Sequence, residues 1–432
     1  MPHSVAPAVV EFGDHGGLCR TLSGVMLLAG GRIVTPDGVL DPGWVRLRAG
    51  RIAAIGPGTT EPGTTGPSTS KTGTTEAGTT EAGDVVVELG GRWVLPGFVD
   101  LHVHGGGGAS HQGGEPEEVA RVVGLHRRHG TTTMLASLVT ASVADLARST
   151  AALAELVDAG LVAGVHLEGP FLAAARCGAH DPRLLRPPDP DALARLLAAG
   201  RGTVRMVTIA PELDGGLDAV ARLAGDGVIA AVGHTDASYA CTVEALAAGA
   251  TVATHLFNGM RGLHHREPGP VLALLADERV TVELINDGVH VHPALLHRVL
   301  QSVGADRVAL ITDAMAAAGA GDGDYTLGGQ PVRVRGGVAR LATGRAAVAG
   351  STLTLDAALR HAVRAGAPVP TVARALATTP ARVLGLAAEL GAIVPGLAAD
   401  LVILDDDLTV HAVLHRGSWV EGRETDGCGA ER

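Results

Sequence analysis

The stretch PGFVDLHVHG, residues 96–105, decides how the rest of the chain is read. An apolar run ends in two histidines, His102 and His104, and glycines follow at 105–108. Side chains of a strand alternate between its faces, so the two imidazoles share one side. If that side is the inner rim of a barrel, both rings converge on a point the size of a metal ion. The glycines let the backbone turn away without closing the space above. Two polar residues capping a strand would look the same locally, so the remainder of the chain has to decide.

Downstream, apolar runs suited to buried parallel strands recur near 99–104, 132–138, 162–168, 204–210, 228–234, 251–255, 281–287 and 308–313. Helical patterns separate most of them, as at 115–129, 142–159, 215–225, 238–248 and 293–303. Strand and helix alternating about eight times predicts an α/β chain folded as a (β/α)8 TIM barrel over 96–385. A doubly wound open sheet is the competing arrangement. A hairpin (325–343) and two helices (352–366, 370–384) are expected after the eighth strand. Short strands at 23–95 and 386–424 resemble each other in character, so the two ends are expected to meet in a small β-sandwich domain. Residues 1–22 read as a disordered extension. Residues 58–83, rich in Gly, Thr, Glu and Pro, read as a low-complexity solvated loop.

Function in such a barrel sits where strands end. The first strand ends in His102 and His104, the third at Glu168, the fifth at His234, the sixth at His255 and the eighth at Asp313. Imidazole nitrogens and carboxylate oxygens gathered at one rim suit a divalent metal: zinc, or iron, manganese or cobalt. The alternative is a barrel mouth capped by polar side chains. Asp313, followed by small residues that leave room, is the candidate proton acceptor from water, though it can equally be one more ligand. His166 shares a face with Glu168 but lies deeper, as a hydrogen-bonded core histidine. His126, His129, His264, His265, His411 and His415 are expected at the surface.

Composition narrows the class. The chain has 432 residues, 46% of them hydrophobic but only 2% aromatic, so a sizeable core must be built from Ala, Val, Leu and Ile. A net charge of −11 argues against a nucleic-acid surface. Four cysteines without paired spacing, Cys19, Cys177, Cys241 and Cys428, argue against a disulfide framework and fit a reducing cytoplasm. No apolar run is long enough to span a membrane, and no signal peptide is legible.

The motifs PGFVDLHVHGGGG, HLEGPFL, GAHDPR, VGHTDAS, THLFNGM, REPG, DGVHV, ITDAM and AGSTLTL occur in that order across roughly residues 90–400. In them the chain resembles the amidohydrolase superfamily and, within it, the N-acetylglucosamine-6-phosphate deacetylases. The His-x-His pair alone marks only the superfamily; HLEGP followed by GAH and HLFNGM is far more specific. Where many relatives carry a carboxylated lysine, Glu168 stands here.

The resemblance implies hydrolysis of N-acetyl-D-glucosamine 6-phosphate to D-glucosamine 6-phosphate and acetate in amino-sugar metabolism. It implies Glu168, His234 and His255 as principal metal ligands, with a second metal at His102 and His104 bridged by Glu168. Asp313 would be general base and then acid, and His180 would position the acetyl carbonyl. Arg266, His290, Asn258 and Gly259 would hold the phosphate and sugar, with Arg266 able to come from the neighbouring subunit of a homodimer. Ala179, Asp287, Val348, Ala349 and Gly350 match substrate-loop positions. Same-fold alternatives are N-acetylgalactosamine 6-phosphate deacetylation and cyclic-amide hydrolysis; a non-catalytic barrel is the alternative of another class.

Overall fold

A computed structural model describes residues 8–10, 25–59, 85–344 and 346–421. The described chain divides into two compact units: one takes in residues up to Phe98 and from Gly385 onward, the other is Val99–Leu384.

The larger unit carries an eight-stranded parallel sheet: β1 (Phe98–Asp100), β2 (Thr131–Val139), β3 (Gly164–Glu168), β4 (Val204–Ile209), β5 (Ile229–Val232), β6 (Val252–Ala253), β7 (Thr281–Ile285) and β8 (Val308–Ile311). Each strand pairs with the next in sequence. The seam between β8 and β1 closes just beyond the strand ends. There the Asp313 N–H donates to the His102 carbonyl and the His104 N–H donates to the Ala314 carbonyl, both at 2.8 Å. Strands β3, β7 and β8 are buried at every residue. Helices on one side and barrel packing on the other explain why they read as mainly apolar runs rather than strictly alternating ones.

Helices at Pro116–Arg128, Val143–Asp158, Gly216–Gly225, Tyr239–Ala247 and Pro293–Val303 fill the crossovers. Their starts follow local chemistry. Ser142 and Ser238 accept from the N–H groups of Asp145 and Cys241, and Pro116 and Pro293 sit where no N–H is needed.

Beyond β8 the expected hairpin is a three-stranded antiparallel sheet, β9 (Gly323–Leu327), β10 (Gln330–Arg335) and β11 (Val338–Leu341). The second expected helix is broken by a π-helical turn at Arg374–Thr378 between Val369–Ala373 and Thr379–Val383.

In the smaller unit the chain ends contribute to one nine-stranded sheet. Met26–Thr35 is its junction. It pairs with Gly38–Arg48 on one edge, and on the other with Val85–Glu88 along its first half and Trp93–Pro96 further on. Leu401–Leu404 then adds antiparallel to Trp93–Pro96. Leu28, Ile33, Val45, Val94, Leu401 and Ile403 form its apolar core.

Within the first 22 residues, Ala8–Val10 departs from the expected unstructured extension. Its Ala-Val-Val sequence adds a strand parallel to Val85–Val87. The other residues of 1–22, and 60–83 of the expected low-complexity loop, lie outside the described residues.

Candidate active site

The strand ends bring the expected residues together. His102 and His104 follow β1, Glu168 closes β3, and His234, His255 and Asp313 each lie two residues beyond β5, β6 and β8. His234, His255 and Asp313 adopt left-handed backbone angles, with φ of 46°, 27° and 48°. L-residues with side chains rarely occupy that region, and its concentration at one rim fits a site where geometry is held at the cost of backbone strain.

The two carboxylate oxygens of Glu168 face different histidines. Oε1 lies 3.1 Å from His234 Nε2 and 2.9 Å from His255 Nε2. Oε2 lies 3.5 Å from His102 Nε2, 3.2 Å from His104 Nε2 and 3.4 Å from His180 Nε2. Asp313 Oδ1 completes the second group, 3.6 Å from His102 Nε2 and 3.2 Å from His104 Nε2.

The remaining ring nitrogens fix the tautomers. His102 Nδ1 faces Glu283 Oε2 at 3.3 Å, His104 Nδ1 faces the Ser137 carbonyl at 3.2 Å, and His234 Nδ1 faces the Arg176 carbonyl at 2.8 Å. Each partner is an acceptor, so each Nδ1 carries the proton and each Nε2 presents a lone pair inward. Two such lone pairs, on His102 and His104, then face each other across 3.0 Å with two carboxylate oxygens alongside. That arrangement repels unless a cation or protons occupy it. Donor groups of this type, with carbonyl and carboxylate partners behind His102, His104 and His234, suit a divalent cation; His102, His104, Glu168 and Asp313 form one such group and Glu168, His180 and His234 another.

Charge follows the same geometry. Burial would push the Glu168 carboxyl up, yet the His102 and His180 imidazoles hold it well below the usual carboxylate range. Burial likewise opposes ionisation of Asp313, but His102 and His104 bring it down to about 2. His180 behaves differently. Burial lowers its pKa to about 4, so it is neutral near pH 7. The Thr140 N–H donates to His180 Nδ1 at 3.3 Å, which puts the imidazole proton on Nε2.

A cavity of about 190 Å³ opens above these groups. His104, Glu168, His180, His234, His255 and Asp313 line it, and so do Ala179, Asn258, Gly259, His290, Val348 and Gly350. Gly259 has no room for a side chain: φ is +61° and a Cβ would lie 2.8 Å from His234 Nδ1. Gly259→Ala is therefore expected to push the His234 ring off its carbonyl partner and lower cation affinity about tenfold or more, measured by competition with a chelating dye.

Three expected contacts fall outside the cavity. Ala349 is fully buried in the apolar cluster beneath the β9–β11 sheet. Asp287 acts one step back, because its Oδ2 lies 2.6 Å from His290 Nδ1 and aims that ring. Arg266 is exposed on the loop 261–268 and pairs with His265 Nε2 at 2.9 Å. His166 is the core histidine expected, held between Ser137 Oγ and Thr208 Oγ1. His126 is not at the surface: it is fully buried with Nε2 on the Gly105 carbonyl, because its helix packs that face against the glycine run after β1.

Sequence reasoning missed Thr140, Glu283 and Leu327. Glu283 carried a signal, a carboxylate inside the apolar run TVELI of β7. Fully buried, it faces His102 and also accepts from the His255 N–H at 3.2 Å, so one oxygen ties the two groups of histidines together.

The chain is similar to several known proteins. The curated N-acetylgalactosamine-6-phosphate deacetylase of Escherichia coli O157:H7 is 36% identical over 91% of this chain and 97% of its own length. The N-acetylglucosamine-6-phosphate deacetylase of Bacillus subtilis (strain 168) is 35% identical over 75% of this chain and 84% of its own. The Mycobacterium smegmatis N-acetyl-D-glucosamine-6-phosphate deacetylase, solved in complex with N-acetyl-D-glucosamine 6-phosphate, is 48% identical, with a TM-score of 0.83 over 92% of this chain and 99% of that one. The model of the amidohydrolase family matches residues 93–420, and with the strand-end histidines and Glu168 gathered at one rim, the chain belongs to the amidohydrolase family.

Proposed function

We propose that this protein hydrolyses N-acetyl-D-glucosamine 6-phosphate to D-glucosamine 6-phosphate and acetate, acting in the cytoplasm on amino sugars being recycled. The observation that carries the reading is Glu168 with its two oxygens shared between His234 and His255 on one side and His102 and His104 on the other. The similarity to N-acetylglucosamine-6-phosphate deacetylases supplies the substrate.

Glu168, His234 and His255 would hold the principal cation, and His102 and His104 a second one beside Asp313. Zinc suits the nitrogen and oxygen donors, as do iron, manganese or cobalt. A divalent cation bound there supplies Lewis acidity toward the amide carbonyl and lowers the pKa of water. The chain's residues do the rest. His180 donates from Nε2 to the acetyl oxygen, where negative charge develops. Asp313 takes a proton from the attacking water and returns it to the departing amine. Asn258, Gly259 and His290 also line the cavity and would offer donors to sugar hydroxyls and phosphate. Acetate release from metal-loaded enzyme tests the reading, with a substrate-free blank and chelated enzyme as controls; no release from a fully loaded sample sinks it.

The E. coli relative, which matches 91% of this chain, is named for the galactosamine epimer. Comparing kcat/KM for the two sugar phosphates decides between the epimers, and the glucosamine form is expected to be preferred.

A homodimer belongs to the same reading. Arg266 is exposed, and Leu263 on its loop is 63% exposed. Tyr239, Val243 and Leu272 present further exposed apolar side chains on two neighbouring helices. A second copy covering this face would carry its Arg266 fork to the phosphate of the opposite site. Co-expressing Arg266→Ala with Asp313→Asn tests it. Each variant alone should be poor, while mixed dimers contain one site with an intact aspartate and the partner's arginine. Recovery to about a quarter of wild-type turnover is expected for a two-fold dimer with random pairing. No recovery places Arg266 in its own subunit's site or in neither.

A further inference from the structure

Most of the cavity's lining is polar, but one side is not. There Val139 and Leu327 face it and pack in one apolar cluster, with Ala179 against them. The two come from different parts of the fold. Val139 closes β2, and Leu327 closes β9 of the three-stranded sheet that lies outside the barrel. The turn after Leu327 holds them together. A Cβ on Gly328 would lie 2.5 Å from Val139 Cγ2, so the turn already touches that side chain. The residue after Val139 is Thr140, whose Oγ1 lies 2.8 Å from His180 Nδ1. The apolar side of the cavity therefore adjoins the imidazole whose Nε2–H would hold the acyl oxygen.

Resting on the deacetylase reading above, we propose that this side is the acyl pocket and that Leu327 sets the largest N-acyl group the enzyme removes. An N-acetylhexosamine phosphate has one apolar end, the acyl methyl. Its hydroxyls and phosphate cannot be buried against Val139 and Leu327 without losing hydrogen bonds to water. With the carbonyl oxygen on His180, the methyl is the group left to meet the neighbouring wall. Leu327 is 9% exposed and backed by Val332, Val334 and Met315, so it cannot retreat to admit a longer chain. The barrel fixes the chemistry, and the appended sheet fixes the size of the group accepted.

The test compares kcat/KM for N-acetyl-, N-propionyl- and N-butyryl-glucosamine 6-phosphate, read as amine released. In the wild type each added methylene should cost roughly 10- to 200-fold, the range a closed apolar pocket achieves. Leu327→Ala should raise the propionyl-to-acetyl ratio about tenfold or more, with Leu327→Val in between. The ratio does not depend on how much of the sample is folded. Should Leu327→Ala not fold, Leu327→Val and Val139→Ala give the same readout. Unchanged ratios in these variants, or a wild type that accepts all three chains alike, overturn the proposal. A metal-loaded wild type silent on the N-acetyl substrate overturns the deacetylase reading as well, so the two failures are told apart.

Discussion

Asp313→Asn is expected to keep its cation content and its fold while kcat drops roughly 10²- to 10⁴-fold, the usual contribution of a positioned acid–base group. The variant is well suited to the question. Asn is nearly isosteric and keeps an oxygen where Asp313 Oδ1 now lies, 3.2 Å from His104 Nε2. It also tolerates left-handed backbone better than most residues, and position 313 sits at φ 48°. The backbone bonds at this residue, Asp313 N–H to the His102 carbonyl across the barrel seam and Ser351 N–H to the Asp313 carbonyl, do not involve the side chain. What is lost is the ability to accept a proton. Metal analysis and single-turnover kinetics on the same sample check it. A loaded variant turning over at near wild-type rate would show that Asp313 is a ligand only and that the proton goes elsewhere.

That such a variant can be designed from the chain itself reflects which physics is local. Strands buried on both sides leave contiguous apolar runs, and in a barrel the residue after each run stands at the rim. His102, His104, Glu168, His234, His255 and Asp313 were legible for that reason alone. Groups that act on those residues from behind were not. Thr140 follows β2 as an ordinary threonine, and only the folded loop brings His180 onto it. Glu283 announced itself weakly, but nothing in TVELI says that its partner is His102, 181 positions earlier. Motif proximity misled in the other direction. Ala349 sits between two cavity-lining residues, yet its side chain packs into the apolar cluster. The size of the acyl pocket was the least legible feature, since it depends on how an appended sheet packs over the rim.

Glu168→Gln should cost more than any other single change in the cation site. Its carboxylate faces both groups of imidazoles, so the substitution removes the negative charge they share and turns one of the two oxygens into an amide that cannot accept. Metal content after dialysis is expected to fall from one or two ions per protomer to a small fraction. Because such a cation contributes several kcal/mol of charge stabilisation and each 1.36 kcal/mol is tenfold in rate, kcat should fall on the order of 10³-fold or more.

The pH dependence of cation binding should change with it, and its sign follows from the metal-free site. Burial alone would lower the pKa of His102 and His104, but the charges and hydrogen bonds of Glu168 and Asp313 raise both above their ordinary values. His234 is raised in the same way, chiefly by Glu168. These rings therefore keep their protons into a higher pH range than a free imidazole does, and a cation must displace them to bind. Wild-type affinity should weaken as pH falls through that range and strengthen as it rises. In the Glu168→Gln variant the imidazolium forms lose their nearest counter-charge and their pKa values drop, so proton competition recedes to lower pH. Calorimetric titration with zinc in buffers of different ionisation enthalpy counts the protons released per ion. Fewer should leave from the variant than from the wild type near pH 7. An unchanged proton count, with metal content intact, would mean that Glu168 neither bridges the two groups nor sets their charge.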